Sequence, residues 1–124
     1  DCLLSRGLGD VYKRQYQNRD FVYIDDVINV MNISMKTLQK KNMCESYNVG
    51  TGISTTIDNL LDNISKLINV IPKISRKKLP KGDPESSIGN YEKLIGSLNI
   101  ELNNFTKLTD GLRETIDFMK KSTI

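Results

Sequence analysis

Few residues of this chain could do chemistry, and most of them are ionic. There is no histidine among its 124 residues, which removes the commonest general base, the serine–histidine triad and nearly all zinc sites. Two cysteines, Cys2 and Cys44, make neither a disulfide framework nor a metal cluster. Arg19 opens the run Arg19-Asp20-Phe21-Val22-Tyr23-Ile24-Asp25-Asp26-Val27, and a planar guanidinium there suits bidentate contact with phosphate oxygens. Asp25-Asp26 is compatible with a paired-carboxylate acid/base site or a divalent cation site. No third ligand accompanies the pair, however, and helix capping is the better reading. Gly50-Thr51-Gly52 stands where a phosphate-cradling loop would, but it lacks the G-x-G-x-x-G spacing and the P-loop lysine, and reads as a tight connection. Arg76-Lys77-Lys78-Leu79-Pro80-Lys81-Gly82-Asp83 is a basic loop, either a solvated run or a rim facing phosphate.

The elements that must position these residues follow from the apolar pattern. Phe21–Ile24 is aromatic and β-branched and predicts a short strand. It stops at a helix from about Asp25 to Gln39, with Val27, Ile28, Val30, Met31, Ile33 and Met35 as apolar positions. Glu45–Val49 predicts a second short strand running into the two glycines, which permit φ > 0 and close backbone approach. Ser54-Thr55-Thr56-Ile57-Asp58 reads as a helix start, and Ile57, Leu60, Leu61, Ile64, Leu67 and Ile68 fall three and four apart. Pro72 ends that segment and Lys73-Ile74-Ser75 predicts an edge strand. Further helices are predicted after Asn90, through Tyr91, Leu94, Ile95 and Leu98, and from about Thr109, with Leu112, Ile116, Phe118 and Met119. The class is α/β.

Composition bounds the rest. With 38% hydrophobic and 27% charged residues, one soluble domain or part of one fits better than disorder. No apolar run reaches the roughly 18–20 residues that span a bilayer, and no secretory signal pattern opens the chain, so no membrane is expected and a reduced, cytoplasmic setting is the default. The net charge of +3 permits affinity for anions without demanding nucleic acid. Aromatic content of 6% counts against an RNA or DNA binder.

Ser5 to Gln15 resembles the translation of a transposase adapter used in sequencing libraries. Residues 1–15 are accordingly set aside as non-native, and residues 16–124 are expected to begin mid-gene.

Within 16–124, four motifs occur in order: Arg19 to Val27; Tyr47-Asn48-Val49-Gly50-Thr51-Gly52; Gly82-Asp83 followed by Asn90-x-x-Lys93; and Gly111-Leu112 with Thr115-Ile116. Together they resemble the C-terminal third of the extended short-chain dehydrogenase/reductases, the NAD-dependent epimerase/dehydratase group, nearest to the UDP-glucose and UDP-glucuronate 4-epimerases. The resemblance implies the C-terminal part of a Rossmann-like fold: a last parallel strand at Tyr47–Val49, its helices and most of a small substrate domain. It implies a cytoplasmic isomerase of carbohydrate metabolism whose NAD is held mainly by an upstream half, acting on a nucleotide-diphosphate sugar and often homodimeric. The catalytic Tyr-x-x-x-Lys and the glycine fingerprint would lie upstream, so no catalytic, cofactor-binding or metal-binding residue is assigned here and the piece alone is expected to be inactive.

By the same resemblance Arg19 would contact the diphosphate and Asp83 the ribose hydroxyls. The family's second diphosphate arginine is replaced by Pro80, and Lys81 or Lys78 would compensate as a point charge. A 4,6-dehydratase or reductase on the same scaffold is the nearest alternative, and a small basic phosphate- or RNA-binding α/β module the alternative of another class.

Overall fold

The Phe21–Ile24 run does not form the strand its residue types predict. In the computed structural model, which describes residues 12–13, 17–41, 44–76 and 82–122, the ladder lies two residues earlier and the helix begins at Ile24. The chain divides into two compact units, one of Asp1–Arg19 with Ser54–Ser87 and one of Asp20–Ile53 with Ile88–Ile124.

In the first unit, β2 (Asn18–Arg19) is the middle strand of three. It runs antiparallel to β3 (Thr55–Thr56) and parallel to β5 (Ser86–Ser87), with Arg19 opposite both Thr55 and Ser87. Asn18 N–H donates to the Glu85 carbonyl at 2.8 Å, and Ile57 N–H to the Gln17 carbonyl at 3.0 Å. A separate two-residue ladder pairs β1 (Tyr12–Lys13) in parallel with β4 (Ser75–Arg76), beginning two residues later than the edge strand predicted at Lys73–Ser75 and overlapping it at Ser75. Helix α2 (Ile57–Ile68) follows β3 directly. Of the hydroxyls in Ser54-Thr55-Thr56 it is Thr56 that caps it, accepting from Asn59 N–H at 3.0 Å, as an orphan first-turn donor requires. The apolar stripe read from the sequence is its inner face, with Leu61 buried.

The second unit is helical. Helix α1 (Ile24–Lys41) is longer than predicted at both ends. Helix α3 (Glu92–Leu98) has Tyr91, not Asn90, at its N-cap, with no side-chain cap bond from Tyr91; Asn90 stands one residue before the cap, and its side-chain oxygen accepts from Glu92 N–H at 2.9 Å. A 3₁₀ turn at Leu102–Asn104, not foreseen, leads to α4 (Leu108–Lys121). Val30 of α1 packs with Leu94, Leu98 and Ile100, and Ile33, Tyr47, Val49 and Phe105 close over them.

The parallel strand expected at Tyr47–Val49 has no ladder partner among the described residues. Its side chains nevertheless alternate as in a strand, with Glu45, Tyr47 and Val49 half-buried and Ser46 and Asn48 exposed. Alternating burial needs only an extended backbone over a core. A ladder needs a second strand beside it.

Candidate functional site

Arg19 and Asp83 are 64 residues apart in sequence, and the first unit brings them together. The Arg19 backbone is fixed from both sides by β3 and β5. Asp83 follows Gly82, which takes φ = +92°, a conformation open to glycine because it has no Cβ. The guanidinium then reaches back along the loop. Nη1 donates to the Asn18 carbonyl at 2.7 Å and the Glu85 carbonyl at 3.5 Å. Nη2 donates to the Pro84 carbonyl at 3.1 Å and pairs with Asp83 Oδ1 at 3.4 Å. The two side chains keep 26% and 33% of their surface exposed, so solvent, and any ligand, can reach both. An ion pair this open and this long contributes about 1 kcal/mol or less. The shorter contacts to carbonyls hold the guanidinium in place.

Lys81, with Lys77, Lys78 and Pro80, lies outside the described residues. Among the described residues no group of three or more acidic, cysteine or histidine side chains could hold a metal ion.

No protein-family model and no curated protein matches the sequence. Solved structures do. The UDP-glucose 4-epimerase of Thermotoga maritima, solved with UDP-glucose, aligns over 92% of this chain and 35% of its own, with 27% identity and a TM-score of 0.77. The UDP-glucuronic acid 4-epimerase of Bacillus cereus, solved with UDP-glucuronic acid and NAD, aligns over 90% of this chain and 34% of its own, with 24% identity and a TM-score of 0.77. The chain has the fold of the C-terminal portion of a UDP-sugar 4-epimerase. It spans about a third of the length of these Rossmann-like extended short-chain enzymes. The dTDP-glucose 4,6-dehydratase of Bacillus anthracis, solved with NAD, carries the same fold at 21% identity and a TM-score of 0.69, over 90% of this chain and 34% of its own. No helix of the described residues is long and apolar enough to cross a membrane.

Placed on the epimerase fold, the glycine loop of the second unit has a purpose other than cradling a cofactor's phosphate. The Thr51 N–H and hydroxyl donate to Asp20 Oδ1 at 3.0 and 2.5 Å, and the N–H groups of Gly52 and Gly89 donate to Oδ2 at 2.9 and 3.3 Å. The nest is filled by an internal carboxylate, which would repel a phosphate placed there. These residues therefore do not fit NAD.

Close approaches require both glycines of this loop. A Cβ on Gly50 would lie 2.7 Å from Asp20 Oδ2, and one on Gly52, at φ = +71°, would run into the Tyr91 ring. Burial alone would raise the Asp20 carboxyl, but the Thr51 hydroxyl and the three N–H donors outweigh it and hold it below its ordinary value.

Asp25 and Asp26, expected to cap α1, lie inside its first turn, because the helix starts one residue earlier. There they complement the helix dipole. Asp26 also accepts from the Thr106 N–H at 2.8 Å and hydroxyl at 3.1 Å, pinning the approach to α4. The Tyr23 phenol is pushed up by desolvation and by Asp25, Glu114 and Asp26, the opposite of what a tyrosine acting as a base needs.

Asp20 is the residue that the sequence reading passed over. Its signal was the Gly-Thr-Gly run itself. A loop with several free N–H groups and no phosphate signature needs an anion from elsewhere in the chain.

Proposed function

We propose that this chain is the substrate-binding part of a nucleotide-sugar 4-epimerase, in which Arg19 grips the diphosphate and Asp83 holds the nucleotide ribose hydroxyls. The observation that supports it is the convergence of Arg19 and Asp83, both solvent-accessible, within a fold shared with enzymes solved with UDP-sugars. The contacts at 2.7 and 3.1 Å to carbonyls keep the guanidinium in place. The contacts at 3.4 and 3.5 Å are the ones a diphosphate oxygen displaces. Lys81 supplies a further point charge to the same diphosphate. The parent enzyme uses NAD held by an upstream Rossmann half, works in the cytoplasm as a homodimer, and inverts the sugar at C4. Residues 1–15 stand apart from it as adapter-derived sequence.

Two measurements test this reading. UDP-glucose added to the 124-residue chain should bind, and Arg19→Ala should weaken binding by about 2–3 kcal/mol, the worth of a charge-assisted contact to phosphate. In the parent gene, a glycine-rich strand–helix turn and a Tyr-x-x-x-Lys should precede Arg19. Their absence, or salt-dependent binding of generic RNA without uridine-nucleotide binding, overturns the proposal. The dehydratase that shares the fold supports a second reading with the same roles for Arg19 and Asp83. An acid pair beside the upstream tyrosine motif would select it.

A further inference from the structure

The sheet that carries Arg19 is too short and too polar to set its own register. Strands β2, β3 and β5 are each two residues long, and Asn18, Arg19, Ser86 and Ser87 give the β2–β5 pair no apolar face. In such strands register is weakly specified, because no buried face penalises the wrong pairing. A slip of one residue moves a strand by roughly 3.3 Å. That is the whole length of the contacts from the guanidinium to the Pro84 and Glu85 carbonyls, 3.1 and 3.5 Å, so a slip would take Arg19 out of its seat.

Asp20 stands where it can prevent this. It follows Arg19, the last residue of β2. Its Oδ2 accepts from the N–H of Gly89, two residues beyond β5, at 3.3 Å, and from the N–H of Gly52, three residues before β3, at 2.9 Å. Because β5 runs parallel and β3 antiparallel to β2, these are the three strand ends on one side of the sheet, and one carboxylate ties them. The backbones it gathers have no slack: a Cβ on Gly89 would lie 3.3 Å from the Gly50 Cα. With Thr51 donating twice to Oδ1, four donors fill the roughly four lone-pair sites of a carboxylate. Asp20 therefore has no acceptor left for a ligand, and any effect it has on binding passes through its neighbours.

We propose that Asp20 is a positioning residue for the diphosphate site: its contacts to Gly52 and Gly89 set the register of β2 against β3 and β5, and so hold the Arg19 guanidinium where a phosphate meets it. The inference rests on reading Arg19 as the diphosphate contact.

The test compares Asp20→Asn with Leu94→Ala, which empties the core without touching the latch, in the 124-residue chain. The first readout is amide hydrogen exchange at Asn18 and Ile57, whose N–H groups donate to the Glu85 and Gln17 carbonyls. In Asp20→Asn the protection of these two amides should fall about tenfold further than that of the amides along α2, whereas in Leu94→Ala the two sets should fall together. The second readout is calorimetric titration with UDP-glucose at a temperature where both variants are folded. Asp20→Asn should bind about tenfold more weakly than the native chain, as when one charge-assisted contact is lost, and Leu94→Ala within about twofold of it. Equal loss of protection everywhere in Asp20→Asn, unchanged binding by it, or equal weakening by Leu94→Ala overturns the proposal. Should Asp20→Asn not fold, Gly89→Ala crowds the same contact and is read in the same two ways. A native chain that binds no UDP-glucose removes the substrate reading, and the exchange pattern alone then decides whether Asp20 sets the register.

Discussion

Replacing Asp20 by asparagine removes one charge and one acceptor while hardly changing the side chain's size. The amide carbonyl can stay on the Thr51 N–H and hydroxyl. Its NH₂ then faces the N–H groups of Gly52 and Gly89, which the native Oδ2 accepts at 2.9 and 3.3 Å, so donor meets donor. Hydrogen bonds to a charged group contribute about 1.5–3 kcal/mol each when water is excluded. Gly52 is exposed and water partly replaces the lost acceptor, so we expect about 2 kcal/mol for the pair, or roughly 10 °C in the midpoint of a chain this size. The pH dependence has a definite sign. The folded carboxyl lies below its ordinary 3.8, so the stabilisation is whole above that value and fades as pH falls through the folded pKa. A protonated Asp20 is nearly the isostere of asparagine. The gap between native and Asp20→Asn chains should therefore be widest near pH 6.5 and close in strong acid. Urea unfolding followed by circular dichroism at pH 6.5 and pH 3 measures both. Equal stability at pH 6.5, or a gap that does not narrow at pH 3, refutes the latch.

Three other outcomes follow. Gly52→Ala meets two obstacles, a φ of +71° and the Tyr91 ring in the space of the new Cβ, and should cost more than about 2 kcal/mol in urea unfolding. Tyr91→Ala added to it should relieve the collision but leave the backbone strain, a coupling that a double-mutant cycle reads directly. Leu94→Ala empties the most enclosed hydrophobic position among the described residues, at 0% exposure, and should cost about 2–5 kcal/mol by the same assay. Asp83→Asn should weaken UDP-glucose binding yet tighten binding of inorganic pyrophosphate, which has no ribose, as calorimetric titration of both ligands can check.

Helices were legible in this sequence and ladders were not, for a physical reason. The α2 stripe from Ile57 to Ile68 and the positions Leu94 and Leu98 of α3 repeat at the helical period, and each helix satisfies its backbone within itself. The strands are two residues long, too short to carry a period. Asn18, Arg19, Ser86 and Ser87 are polar, so no propensity marks them as strand. Phe21–Ile24 had the propensity but not the partner, and propensity on a pleated surface is mostly packing. The candidate site was half legible. Arg19 stood out by its chemistry, and the convergence of Arg19 with Asp83 needed β5 to carry the loop back past β2. Asp20 was missed because a carboxylate beside an arginine reads as its ion partner, whereas here its acceptors are spent on the loops at 50–52 and 89.

Asp83 makes the proposed site more discriminating than a bare cation would be. A phosphate drawn to Arg19 also meets the Asp83 carboxylate, 3.4 Å from Nη2. Two unit charges about 5 Å apart repel by roughly 3 kcal/mol at the effective dielectric of a protein surface. An isolated phosphate thus gains little from Arg19 while Asp83 faces it. On the roles proposed above, a nucleotide would bring its own remedy, because ribose hydroxyls would donate to the carboxylate and draw its charge away from the diphosphate. In the proposed site the acid would therefore select for the whole nucleotide and against free phosphate or pyrophosphate, through an unfavourable contact as much as a favourable one. That is why removing its charge should separate the two ligands, and why weakening or tightening of both together by Asp83→Asn would place the carboxylate outside the ligand's reach.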